Sequence, residues 1–135
     1  MNGFDDLSDR YHRALEAFIR GDPEPVLALW SRRDDATLAN PFGPPVRGWE
    51  AVRDAGMRAA SQVADGEAFS VEGISMFATT ELAYEVEIHR FRARLGGAGE
   101  SAPLSLRVTT IYRLEENGWR VAHRHADVIT SESSD

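Results

Sequence analysis

The chain has 135 residues, 42% of them hydrophobic and 27% charged, with a net charge of −7 and no cysteine. That length suits one domain, residues 1–135, around one core, and the composition shows neither the polar excess of disorder nor the long apolar run of a membrane span. Without cysteine there are no disulfides, thiol nucleophiles or cysteine-type zinc sites. The acidic balance argues against general nucleic-acid binding, and because all 15 basic residues are arginine, lysine Schiff-base chemistry is excluded. The opening MNGFDDLSDR has acids where a secretory leader would have basic and then apolar residues, so the expected location is cytoplasmic.

Phe4, Leu7, Tyr11, Ala14, Leu15 and Phe18 recur at three- and four-residue steps, which predicts a helix from Phe4 to Arg20 with one apolar face. Gly21 ends it. Asp22-Pro23 has the chemistry of a cap followed by proline at the first helical position, opening a short second helix to about Trp30. Ala36 to Ala39 reads as a brief strand, and Asn40-Pro41-Phe42-Gly43-Pro44-Pro45 as a loop. A third helix is predicted from Trp49 to about Ala64.

The second half changes period. Phe69–Phe77, Ala83–Leu95, Leu104–Glu115 and Trp119–Ile129 are rich in β-branched and aromatic residues and read as strands. The separators are short, and Asn117-Gly118 suits a tight hairpin turn, so the strands form an antiparallel meander. Helices first and strands afterwards predict an α+β fold, with helices covering one face of the sheet. The polar tail, residues 130–135, is expected to be disordered.

The stretch DDATLANPFGPPVRG, Asp34 to Gly48, resembles the corresponding loop of the ketosteroid isomerases, members of the nuclear transport factor 2-like superfamily. Asn117-Gly118-Trp119 through His123 and His125 is similar to the final hairpin of SnoaL-like and calcium/calmodulin-kinase association domains. The resemblance implies a cone-shaped roll: three helices packed on a curved antiparallel sheet enclosing one pocket. It also implies that steroid isomerisation is lost. The position of the isomerases' basic aspartate is Asn40, an amide that cannot serve as that base, and their oxyanion-holding tyrosine and aspartate match Ala14 and Thr110. Tyr11, one turn before Ala14, is a substitute donor or a core tyrosine.

Through the same alignment Val108, Thr110 and Tyr112 should point into the pocket, as should His123, His125 and Asp127, with Tyr84, Val86 and Ile88 completing the wall. His123, His125 and Asp127 are then the expected catalytic group: two imidazoles that titrate near neutrality, with a carboxylate to orient one, although packing roles fit them equally. The spacing also fits imidazole and carboxylate metal ligands, but a third ligand is missing because His89 should face away, so no metal and no cofactor is expected. Asn40 is either a donor at the pocket mouth or a turn cap. Trp30 and Phe42 are candidates for ligand contact, with packing as the competing role. Glu85, Glu87, Arg90, Arg92 and Arg94 read as solvated charges. The outward set, including Arg107, Ile111, Arg113, Arg120 and Arg124, would form the sheet's back, where the resemblance implies a homodimer.

The expected partner is a small hydrophobic or aromatic molecule, with neither nucleic acid nor membrane. Three functions compete: a non-catalytic binding module, a proton-transferring cyclase, isomerase, hydrolase or dehydratase, and an oligomeric interaction domain.

Overall fold

A computed structural model describes residues 3–97 and 99–130. The predicted first helix is α1 (Gly3–Phe18), with Phe4, Leu7, Tyr11, Ala14 and Leu15 buried. Ser8 is buried in the same stripe and His12 half-buried beside it, so a polar line runs along the apolar face. The Asp22 side chain accepts the Glu24 N–H at 3.1 Å ahead of α2 (Glu24–Leu27), but Pro23, expected at the first helical position, takes the cap position instead. This helix is shorter than expected, because Leu29 and Trp30 donate to carbonyls only three residues back and Trp30 then bridges to Val121. The loop region carries two short strands, β1 (Thr37–Ala39) and β2 (Val46–Arg47), before α3 (Trp49–Ser61). No helix among the described residues is long and apolar enough to cross a membrane.

The meander forms as β3 (Val63–Ala78), β4 (Leu82–Leu95), β5 (Ala102–Glu115) and β6 (Gly118–Val128). With β1 and β2 these make one open, six-stranded sheet in the order β2-β1-β6-β5-β4-β3. It is not wholly antiparallel as expected: β1 runs parallel to β6, with Thr37 opposite His123 and Ala39 opposite His125. Strand β3 starts six residues before the predicted Phe69, because Asp65 and Ala68 adopt φ 59° and the ladder shifts register there, hiding the alternation of side chains. Gly66 lies against the end of α1, where a Cβ would collide with Ile19. Gly118 adopts φ 113° in the tight turn that Asn117-Gly118 announces. The proposed disordered tail falls almost wholly on residues 131–135, outside the described residues.

Helix α1 lies over the inner face of the sheet. The Phe4 ring meets Tyr112 edge-on at 5.1 Å and Tyr11 meets Tyr112 at 6.1 Å. One core cluster joins α1 to Trp30, Leu38, Val52, Tyr112 and Val121, and a second gathers Ile19, Val63, Phe91, Leu106, Val108 and Ala126.

One irregularity in β6 decides which side chains face inward. Tyr112 is opposite Val121, whereas its neighbour Ile111 is opposite His123, so Ala122 is an extra, unpaired residue. A bulge of this kind reverses the alternation beyond it. Val121 is inward and fully buried, but after the bulge the inward residues are Arg124, Ala126 and Val128, opposite Thr110, Val108 and Leu106.

Candidate functional site

Alternation along β4 places Glu85, Glu87 and His89 on the inner face, opposite Thr110, Val108 and Leu106 of β5 and beneath α1. Buried carboxylates require donors, and the helix supplies them. Ser8 Oγ donates to Glu85 Oε2 at 2.6 Å, and the Tyr112 hydroxyl donates to Glu85 Oε1 at 2.6 Å. His12 Nε2 and His89 Nε2 both donate to Glu87 Oε1, at 3.0 and 2.8 Å. Ser8 and His12 reach adjacent carboxylates because they lie one helical turn apart.

These contacts set the protonation states. Burial alone would raise the Glu87 pKa, but the hydrogen bonds and charge of His12 and His89 outweigh it and hold the carboxyl down to about 2. Burial likewise disfavours a charged His12, yet the hydrogen bond and charge of Glu87, with Glu85 and Asp9, leave it above its ordinary value. His89 goes the other way: burial, aided by the Arg124 charge, overrides Glu87 and pushes its pKa down to about 4. At neutral pH His89 is therefore an uncharged imidazole. With Nε2 donating to Glu87, its Nδ1 must be the lone-pair nitrogen, and that atom is buried without a hydrogen-bond partner.

Beside this cluster lies a cavity of about 290 Å³. Its wall is largely aliphatic and aromatic, including Leu38, Phe69, Phe91, Leu104 and Leu106, and its polar side chains are Tyr11, Asn40, His89 and Arg124. Arg124 Nη1 approaches the Tyr11 hydroxyl at 3.4 Å. Burial holds the Tyr11 hydroxyl above its usual pKa despite Arg124, so it stays protonated and can donate.

Of the residues expected at the pocket, Tyr11, Trp30, Asn40 and Phe42 line the cavity. The Asn40 side chain accepts the Phe42 N–H at 3.0 Å, the turn-capping role. Val108 and Thr110 do face inward and are buried, but lie in the core rather than on the cavity wall. Tyr84, Val86 and Ile88 are a correction: they are on the outer face, and Tyr84 is 39% exposed. The alignment put them on the pocket wall, but the interior side of β4 is the polar one and is satisfied by α1.

His123, His125 and Asp127 are corrected too, because the Ala122 bulge turns all three outward. His123 Nδ1 pairs with Thr37 Oγ1 at 2.7 Å, and burial followed by the charge of His125 lowers its pKa. Asp127 does not orient a histidine: it accepts Arg107 Nε at 3.0 Å on the exposed surface. Conversely Arg124, expected on the back, points into the cavity.

Sequence reasoning missed Glu85, Glu87, His89, Ser8, His12 and Arg124. The available signal was the coincidence of two polar patterns, Ser8 and His12 inside an apolar helix stripe and Glu-x-Glu-x-His on a strand. As for metals, the ligand atoms of His12, Glu87 and His89 lie within 4.8 Å of one another and could hold a cation. As they stand, both imidazoles direct Nε2 to one Glu87 oxygen at hydrogen-bond distance, so the carboxylate is satisfied by N–H donors.

The sequence matches the SnoaL-like domain over residues 7–131. No curated protein matches it. Among solved structures, a ketosteroid isomerase-like protein from Erwinia carotovora atroseptica superposes with a TM-score of 0.76 at 19% identity, over 94% of each chain. A candidate dehydratase of the NTF2-like family from Streptomyces avermitilis gives 0.75 at 18% identity, over 95% of this chain and 94% of that one. A nuclear transport factor 2-like superfamily protein from Salmonella enterica serovar Typhimurium gives 0.71 at 16%, over 96% and 90%. At such identities these structures share the fold, and the family rests on the domain match. The chain belongs to the SnoaL-like domain family and shares its fold with the NTF2-like structures it superposes on.

Proposed function

We propose that the chain takes a small hydrophobic or aromatic molecule into its cavity and moves a proton on it, with His89 as the base and Glu87 orienting it. The observation that carries this reading is the Nδ1 of His89: a neutral imidazole nitrogen, in a side chain 1% exposed on an apolar cavity wall, with no partner. A buried unpaired acceptor costs free energy on the order of 1–3 kcal/mol, which a substrate C–H or O–H in front of it offsets through use. Proton transfer to Nδ1 forms an imidazolium whose Nε2–H already points at the Glu87 carboxylate, so charge develops beside its counter-charge. Isomerisation, cyclisation and dehydration all begin with such a step. The isomerase mechanism through the loop position is rejected because Asn40 is an amide engaged in its own turn.

The outer face of the sheet supports self-association as a homodimer of this domain. The Phe77 and Tyr84 rings lie tilted side by side there with centroids 6.2 Å apart, and Phe77 is 58% exposed. Val86, Ile88 and Ile111 continue the apolar surface, framed by the Arg107–Asp127 pair.

The test is deuterium exchange. A panel of aryl and cyclic ketones is incubated with the protein in heavy water, and loss of the α-proton signal is followed by NMR. A ketone that exchanges should do so at least about a hundredfold more slowly with His89→Gln, the scale of general-base catalysis. Exchange unchanged by that substitution refutes the assignment. A compound that binds without exchanging in any case supports the non-catalytic binding module.

A further inference from the structure

Arg124 places a guanidinium on the cavity wall. It extends from the inner face of β6, opposite Thr110, onto the same wall as Tyr11 and His89. Several other arginines of the sheet have carboxylates: Arg113 meets Asp35 and Glu115 at 2.8 and 2.9 Å, Arg107 meets Asp127 at 3.0 Å, and Arg90 meets Glu72 at 2.9 Å, while Arg120 is held by the Asn117 side chain and the Ala28 carbonyl and Arg92 by the Ser101 carbonyl. Among the described residues Arg124 has no such partner, and its one hydrogen bond is the 3.4 Å contact to the Tyr11 hydroxyl. Among the described residues the interior carboxylates make no ion pair with it within 4 Å: both Glu85 oxygens accept from Ser8 and Tyr112, and Glu87 Oε1 accepts from His12 and His89. A guanidinium offers five N–H donors in a planar fork that matches a carboxylate, and here most of that fork is unused.

We infer that the ligand of this cavity is a small organic acid whose carboxylate is held by the Arg124 guanidinium and the Tyr11 hydroxyl, with its apolar body against Phe91, Leu104 and Leu106. The inference rests on the proposed ligand pocket and names the class of molecule that fills it. The division of the wall supports it: one cationic corner with a hydroxyl donor beside it, the Asn40 amide and the His89 imidazole, and an otherwise aliphatic and aromatic lining. A wholly apolar ligand would leave the cation desolvated without a counter-charge, which is costly. The acid would also act on the base. His89 is faced by Glu87 on its own strand, His12 on α1, Phe69 on β3 and Arg124 on β6. Neutralising Arg124 removes one of the charges that suppress its basicity, so binding an acid makes His89 a stronger base.

The experiment compares matched acids and amides, 2-naphthoate with 2-naphthamide and 3-phenylpropanoate with 3-phenylpropanamide, by calorimetry at pH 7 and low salt. The intact protein should bind at least one acid about tenfold or more tightly than its amide, as expected for a charge-assisted bidentate pair. Arg124→Leu should abolish that preference while leaving amide affinity within about threefold, and Arg124→Lys should retain part of it. Should the leucine variant fail to fold, the lysine variant carries the test through a reduced acid-to-amide ratio. Equal affinity for acids and amides, or a preference that survives loss of Arg124, overturns the inference while the amides still demonstrate the pocket. Binding of no compound in either series overturns the pocket and the inference together.

Discussion

Two strands of this sheet carry nearly the same chemical sentence. Strand β4 has Glu85, Glu87 and His89 at alternate positions, and β6 has His123, His125 and Asp127 in the same spacing. The first set faces α1 and is buried, its carboxylates satisfied by Ser8, His12, His89 and Tyr112. The second is on the outer face, where Asp127 pairs with Arg107 and His123 with Thr37. Residue types and spacing are alike, but only the buried set combines a carboxyl held at about 2, an imidazole pushed down to about 4 and a buried nitrogen without a partner. A run of titratable residues on a strand is therefore a site only once its face is known.

The sharpest way to break this contrast is to remove the bulge. Deleting Ala122 would return His123, His125 and Asp127 to the inner face and drive Arg124, Ala126 and Val128 outward, a change that should abolish cooperative thermal unfolding. A deletion variant that melts normally would refute the bulge as the determinant of facing. Next in size, Glu87→Leu strands two imidazole N–H donors in the interior and should cost about 3 kcal/mol in urea unfolding. By contrast His125→Ala, on the exposed face, should change stability by no more than about 0.5 kcal/mol. Similar costs for the two substitutions would erase the distinction between the faces.

Acid sensitivity sharpens the same comparison. The His89 pKa is depressed in the fold from its ordinary 6.5 to about 4, so its neutral form contributes stability above pH 6.5 that is lost as pH falls toward 4. Glu87, held at about 2, adds a contribution present above the ordinary 4.5 and lost as pH falls through about 2. His12, raised, acts oppositely: its contribution is full below 6.5 and disappears as pH rises through its folded value. Between pH 7 and 4.5 the intact protein should lose on the order of 2 kcal/mol more than His89→Gln does. Parallel losses in the two proteins would show that His89 is not buried as a neutral base. Smallest of all, Asp127→Asn should leave the midpoint essentially unchanged, because its pair with Arg107 is exposed.

Much of the fold was legible because periodicity reports burial where one face is apolar. The stripe on α1 and the Asn117-Gly118 turn form as read, and α2 opens within one residue of the expected position. The site was only partly legible, for two physical reasons. A bulge has no sequence signature in Val121-Ala122-His123, so counting inward from buried Val121 gives the wrong face for everything after it. On β4, apolar residues were assigned to the interior, whereas Tyr84, Val86 and Ile88 coat the outer face and the charged set is buried. That inversion is stable only because Ser8 and His12 arrive from a distant helix, a pairing no local pattern reveals. Tyr11, Trp30, Asn40 and Phe42 reached the cavity because helix spacing and the proline-rich loop located them without strand counting.

The central claim, that the buried Glu87–His89 pair holds a neutral base with its Nδ1 free, is tested most directly by nitrogen-resolved NMR of the four histidines. The account predicts that His89 is protonated at Nε2 alone at pH 7 and remains so when the pH is lowered to 5. A His89 carrying its proton on Nδ1, or doubly protonated at pH 6, would contradict it.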